Sequence, residues 1–273
     1  MHTRGHRSAR IRWAARPCLL GYAWLLLAIP ASTADPEPVP VLLQRSGKLV
    51  EKFVEQISGV RCKEPILQTK LGKNGKAEYK EEAIYDSLVL VRVNGDDLTV
   101  EESRLAERRS SHSRELPLLV TRGFSTFALV FHPFYQSSFE FTRLEDEMVA
   151  GQRRIRLQFQ HVRGASSPAA LELHGREYPL ELSGVAWLDP ESGWITRIRA
   201  GLPSSLEDLN LRAFQADVQY APVRFSGIPD KYWLPALATI DVESPRQHWR
   251  NVHRFEEYRR YTVNVEIEFG RQP

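Results

Sequence analysis

Apolar and polar positions change phase along this chain, and each change marks an element. From Leu43 to Ile57 the apolar residues Leu43, Leu49, Val50, Phe53, Val54 and Ile57 recur at helical spacing, and Ser58-Gly59 supplies a stop. The spacing predicts one amphipathic helix lying against a sheet. From Pro65 onward the period falls to two. "AIYDSLVLVRVNGDDLTVEES" carries Asn94-Gly95 between β-rich runs and predicts a hairpin. "SSFEFTRLEDEMVAGQRRIRLQFQHV" predicts a second, turning near Ala150-Gly151. On its return arm Ile155, Leu157, Phe159 and His161 oppose Arg154, Arg156, Gln158 and Gln160, so one face is buried and the other is wet.

Alternation continues through "REYPLELSGVAWL", "LRAFQADVQYAPVRF", "KYWLPALATIDVES" and "RRYTVNVEIEF", where Tyr261, Val263, Val265, Ile267 and Phe269 share a face. Pro235 predicts an edge or a bulge, because proline cannot donate to a strand ladder. Around Phe255 and Tyr258 the parity slips, as at a bulge. Two stretches break the pattern as loops, "RLAERRSSHSREL" and "RGASSPAA". A third, Leu116–Gln136, places Phe124, Phe127, Phe131 and Phe134 at helical intervals with no charge between Gly123 and His132. It predicts a short buried helix or plug inside the curve of the sheet. The hairpin "GVAWLDPESGWITRIRAG" is apolar on both parities: Ala186, Leu188, Trp194, Thr196 and Ile198 on one, Val185, Trp187 and Ile195 on the other. Both faces are therefore expected to be covered.

Roughly ten antiparallel strands curl or close. The expected fold is mainly β (α+β), a curved antiparallel sheet wrapped around two or three helices.

The first 34 residues stand outside that fold. Arg4, Arg7, Arg10, Arg12 and Arg16 precede the apolar run Cys18–Pro30, and Ser32-Thr33-Ala34 follows, which is the order of a secretory signal peptide. An uncleaved anchor is the alternative, but the run is shorter than the roughly 20 residues of a spanning helix. Residues 1–34 are thus read as a signal and 35–273 as a single domain, exported, soluble and without an integral span. Five of the 37 basic residues leave with the signal, so 32 remain against 34 acidic ones and the basic pI no longer argues for nucleic acid. Cys62 is then the one cysteine left and forms no internal disulfide. Its expected role is a buried thiol, with a reactive thiol or an intermolecular bridge as alternatives.

Catalytic signatures are missing. His253 lies three residues from Glu256 with no second histidine to complete a helical pair, and no G-x-S-x-G elbow or glycine-rich phosphate loop occurs. Asp96-Asp97 and Glu145, Asp146 and Glu147 sit at hairpin turns. No metal site, no cofactor and no enzymatic activity are expected.

The hairpin motif "GVAWLDPESG" (Gly184–Gly193), with the closing strands "YWLPALATIDVES" and "NVHRFEEYRRYTVNVEI", resembles the LolA/LolB/RseB-like superfamily of bacterial envelope proteins. The resemblance implies an unclosed barrel with helices on its concave side, and a periplasmic binder of lipid or lipoprotein acyl chains acting in transport or sensing. The chain departs from the membrane-anchored branch, having no lipobox cysteine, and no arginine aligns with the lid latch of the carrier branch. The alternative function is a protein-binding envelope regulator or a structural interaction domain without a ligand cavity, its partner another envelope protein. Candidate ligand-lining residues are Phe53, Ile57, Phe124, Phe127, Phe131, Phe139, Phe141, Leu157, Phe159, Trp187, Trp194 and Trp233; at each, filling a dry core is the competing role.

Overall fold

The computed structural model describes residues 36–94, 97–109, 123–173 and 176–260. The segments 1–35 and 261–273, which hold the signal and most of the last alternating run, lie outside the described residues, as do the hairpin tip at 95–96 and residues 110–122.

Helix α1 spans Val39–Ile57 and turns Leu42, Val50, Phe53, Val54 and Ile57 inward. Pro40 sits in its first turn, where a missing N–H leaves no bond unmade. Gly47 lies on the same face because another segment comes too close for a side chain: a Cβ there would stand 2.6 Å from Gln136 Nε2 and 3.4 Å from the Phe131 carbonyl oxygen. Strands β1 (Val60–Leu71), β2 (Ala77–Asn94) and β3 (Asp97–Arg109) follow as hairpins. A 3₁₀ segment, Phe124–Phe131, and a short helix α2, Pro133–Gln136, interrupt the strands. Then come β4 (Phe139–Val149), β5 (Gln152–His161), β6 (Ala170–Leu173), β7 (Arg176–Pro179), β8 (Ser183–Leu188), β9 (Ile195–Gly201), β10 (Ala213–Val223), β11 (Tyr232–Glu243), β12 (His248–Arg254) and β13 (Glu256–Arg260).

One antiparallel sheet runs β3-β2-β1-β12-β11-β10-β9-β8-β5-β4, with β13 continuing β12 along β1; β6 and β7 form a separate pair. The helix α1 touches both β2 and β4, although seven strands lie between them. On a flat sheet those two strands would be about 38 Å apart, whereas a helix of 19 residues is about 28 Å long. The sheet is therefore curled around the helix, and it is not closed.

Several sequence expectations meet their physical reason here. The Ala150-Gly151 turn has both residues at positive φ, 49° and 77°, as a tight two-residue hairpin requires. Pro235 lies in a central strand, not at an edge; the ladder shifts by one between Gln219 and Tyr220, so the missing N–H falls at a bulge. The slip near Phe255 is the break between β12 and β13, with Glu257 at φ 50°. Two expectations fail. "RLAERR" is not a loop, because Arg104–Arg109 continues β3 against Ala83–Ser87. In the β8–β9 hairpin the pairing shifts at Thr196, whose hydroxyl donates to the Trp187 carbonyl, so that Ile195 and Ile198 both face the core.

Candidate functional site

The concave side of the sheet carries an apolar core and, towards β12, β1, β2 and β3, a buried polar network. Beneath β11, β10, β9, β8, β5 and β4 the inward residues are apolar, among them Ile240, Val218, Ile198, Ala186, Leu157 and Phe159, all fully buried. The Phe124–Phe131 segment lies on this half with every one of its eight residues buried. Three polar ties hold it. Tyr220, buried on β10, accepts from the Ala128 N–H at 3.0 Å and donates to the Ser125 carbonyl at 3.3 Å. Gln136 Nε2 donates to the carbonyls of Phe131 (2.8 Å) and Leu43 (3.0 Å), bridging segment and helix. Ser125 Oγ donates to Glu102 Oε1 at 3.0 Å.

Nine of the twelve candidate lining residues meet here. Phe131, Phe139, Phe141 and Phe159 form one aromatic cluster, with ring centroids 5.2 Å apart for Phe131 and Phe141 and 5.9 Å for Phe139 and Phe159; Leu157 packs in the same core. Phe124 and Phe127 form a second, with Phe124 stacked on Phe214 at 5.8 Å. Phe53 meets Tyr220 edge-on at 5.8 Å, and Ile57 closes the helix end. The contacts are those of a packed interior. The void bordering Ile57, Cys62, Phe255 and Tyr258 is only about 10 Å³, room for a single water, against the roughly 300 Å³ of a small-ligand pocket.

The three tryptophans part company. Trp194 and Trp233 stack on each other, centroids 5.7 Å apart, half-buried at the margin of this core. Trp187 points to the opposite, convex face. There the Arg197 and Arg199 guanidinium groups lie 5.0 and 5.9 Å from its ring centre, and its Nε1–H donates to Glu147 Oε2 at 2.9 Å. Both arginines also bond Asp217; burial raises that carboxyl's pKa, but the two arginines outweigh it and hold it low. The doubly apolar hairpin is thus covered by core on one side and by arginines on the other.

Beneath β12, β1, β2 and β3 the inward face is mixed: Val60, Val89, Val91 and Leu98 join the apolar core, and a buried polar network lies beside them. Glu64, fully buried, accepts from Arg104 Nε and Nη2 at 2.7 and 2.8 Å and from His253 Nδ1 at 2.7 Å. Burial raises the Glu64 pKa, but the His253 bond and the charge and bonds of Arg104 prevail and lower it to about 2. Arg104 also reaches Glu102 at 3.4 Å, and His253 lies 6.5 Å from the Phe124 ring. The network therefore runs from three strands to the first turn of the buried segment. Cys62, two residues from Glu64, is buried, and desolvation followed by the Glu64 charge pushes its thiol up to about 12, which suits an unreactive thiol.

Sequence spacing set His253 beside Glu256, whereas its partner lies 189 residues away. A signal for Glu64 did exist: it is a carboxylate in phase with Cys62 and Ile66 on a strand whose other phase opens with Arg61 and Lys63, the mark of a buried, paired acid. Among the described residues no group of three or more His, Cys, Asp or Glu side chains is placed to hold a metal ion, and no helix is long and apolar enough to cross a membrane.

The described residues thus form a curled antiparallel sheet with helical segments on its concave side. No family model matches the chain, and no curated protein matches its sequence. Solved structures do. A DUF1329 family protein from Desulfovibrio piger is 14% identical, with a TM-score of 0.44, over 85% of this chain and 96% of that one. A putative outer membrane lipoprotein-sorting protein domain from Vibrio parahaemolyticus is 13% identical, with a TM-score of 0.39, over 82% and 94%. The lipoprotein LppX from Mycobacterium tuberculosis is 14% identical, with a TM-score of 0.24, over 84% and 100%.

Proposed function

We propose that this protein is exported to the periplasm, loses residues 1–34, and binds an acyl chain of a lipid or lipoprotein on the apolar half of its concave face. One observation carries the reading. The core is completed by a contiguous, uncharged segment, Phe124–Phe131, that belongs to no strand and meets the sheet mainly through apolar side chains. Such a filler can leave without breaking a strand ladder, and an acyl chain offers the vacated surface the same non-directional contact. Phe124, Phe127, Phe131, Phe139, Phe141, Leu157 and Phe159 would then line the opened site, with Phe53 and Ile57 on the helix side and Trp194 and Trp233 at its margin. Trp187 faces away from it.

The test is native mass spectrometry of the chain purified from a bacterial periplasm without detergent. Copurifying lipid or lipopeptide, lost in Phe127→Glu, is the expected result; a clean apo mass that takes up no added lipid refutes it. The complete packing of the core favours a second reading, an envelope regulator that binds a partner protein and no acyl chain. That reading expects a stable protein partner in a pull-down and no lipid uptake.

A further inference from the structure

The half of the concave face that holds the polar network contains one carboxylate that the network around Glu64 does not use. Glu81 on β2 is 5% exposed, and its Oε1 has no hydrogen-bond partner among the described residues, while Oε2 accepts from the Tyr79 hydroxyl at 2.8 Å. Its burial is in phase with Ala83, Ser87 and Val89, so it faces the concave side. Strand register places Glu81 beside Gln68 of β1, and Gln68 beside Asn251 of β12. All three are buried, and neighbouring strands are about 4.8 Å apart, so a carboxylate and two carboxamides form a row about 10 Å long. Two residues further along β1 and β12 the row passes to Ile66 and His253, and from there to Glu64 and Arg104.

Charge decides what such a row can take. Among the described inward residues of this half the carboxylates are Glu64, Glu81 and Glu102; against them stand Arg104, committed to Glu64 and Glu102, and His253, committed to Glu64. Lys70, next in phase along β1, is turned to exposed Glu78 at 3.8 Å. A phosphate or carboxylate placed here would meet net negative charge, whereas a buried carboxylate oxygen with no donor is satisfied by a cationic one.

We propose that the Glu81–Gln68–Asn251 row binds the ammonium head group of an amphiphile whose chain occupies the apolar half. The inference rests on the acyl-binding reading and adds the head group to it. A primary ammonium supplies three donors and a positive charge to a carboxylate flanked by carboxamides. The polar track through His253 then joins the head site to the aromatic core at Phe124, 6.5 Å from the His253 ring. The ammonium can come from a lipid amine or from a lysine beside an acylated cysteine.

The test displaces a fluorescent C16 fatty acid from the chain with palmitate, 1-palmitoylglycerol, hexadecylamine and an S-palmitoylated Cys-Lys dipeptide amide. Hexadecylamine is expected to displace the probe at concentrations about tenfold below those of palmitate and palmitoylglycerol, the scale of one charge-assisted hydrogen bond. Glu81→Gln, which keeps the shape of the side chain, should erase that difference and leave palmitate unchanged. Glu81→Asp, which keeps the charge but retracts it, should fall between and serves if the amide variant does not fold. If the dipeptide shares the advantage, the ammonium belongs to a lipopeptide; if hexadecylamine alone shows it, to a lipid amine. Equal displacement by all four amphiphiles overturns the head-group site and leaves acyl binding standing. A preference that survives in folded Glu81→Gln removes Glu81 from the site, and displacement by none of the four overturns both readings.

Discussion

Glu64 is a carboxylate held at 0% exposure by one guanidinium and one imidazole, and the consequence is a pH dependence whose sign can be worked out. Its folded pKa, about 2, lies below its ordinary 4.5. The group therefore stabilises the fold fully above pH 4.5, and that contribution is lost as the pH falls towards 2. A shift of this size corresponds to on the order of 3 kcal/mol. Denaturant unfolding should show stability dropping through that window in the parent chain. In Glu64→Gln the drop should shrink by about that amount, leaving the part that other low-pKa carboxylates such as Asp217 contribute, with the whole curve displaced downward because Arg104 is left buried beside a neutral partner; an unchanged drop would assign the titration to another group. Gly184 makes a steric prediction at the same scale. A Cβ there would fall on the Arg199 carbonyl oxygen and within 2.8 Å of Phe159 Cζ. Gly184→Ala should therefore destabilise by several kcal/mol, as overpacking of a rigid core does, and a melting temperature within a degree of the parent would contradict this packing. The glycine that opens the hairpin motif is thus explained by a neighbouring strand, which no local pattern could announce. The same holds for Trp187: parity fixed that it opposed Ala186, but which face was the core depended on partners far along the chain.

At the scale of elements, legibility followed the range of the forces involved. Alternation and turn chemistry are local, so the β2–β3 and β4–β5 hairpins, the α1 stripe and the buried uncharged segment could all be read directly. Elements defined by a partner could not: Arg104–Arg109 has loop-like composition and is a strand because Ala83–Ser87 offers a free ladder. The 3₁₀ form of Phe124–Phe131 likewise exceeds the usual three or four residues of such a helix, and its neighbours impose it. Tyr220 is the chief polar tie between that segment and the sheet. Burial raises its pKa and keeps the hydroxyl protonated and able to donate. Tyr220→Phe keeps the ring against Phe53 and removes both bonds, one of which leaves the Ala128 N–H unsatisfied. Each such bond contributes about 1 kcal/mol, so amide exchange of Ala128 and its neighbours should accelerate about tenfold or more while exchange in β10 and β11 stays near the parent rate. Uniform acceleration everywhere would mean that the segment opens only with the whole fold.

For the whole molecule the decisive question is how a filled core admits a chain, and the magnitudes nearly balance. The segment buries five large apolar side chains, Phe124, Phe127, Leu129, Val130 and Phe131; at about 2 kcal/mol each, exposing them costs about 10 kcal/mol. Sixteen methylene-sized units of an acyl chain, at about 0.8 kcal/mol each, return about 13 kcal/mol. Exchange is thus favourable by only a few kcal/mol for a long chain and unfavourable for a short one. Chain length becomes a sharp instrument. Affinity should be negligible for C8 and C10 acids and then rise about fourfold per methylene, the factor that 0.8 kcal/mol implies. It should level off once the volume left by the segment is filled. Titrating a C8 to C18 series by displacement of a fluorescent fatty acid measures the curve directly. A threshold followed by a plateau is the signature of exchange against an internal competitor. A weak, even dependence from C8 upward would place any bound lipid on the surface, and the closed aromatic core would then be the finished interior of a protein that recognises other proteins.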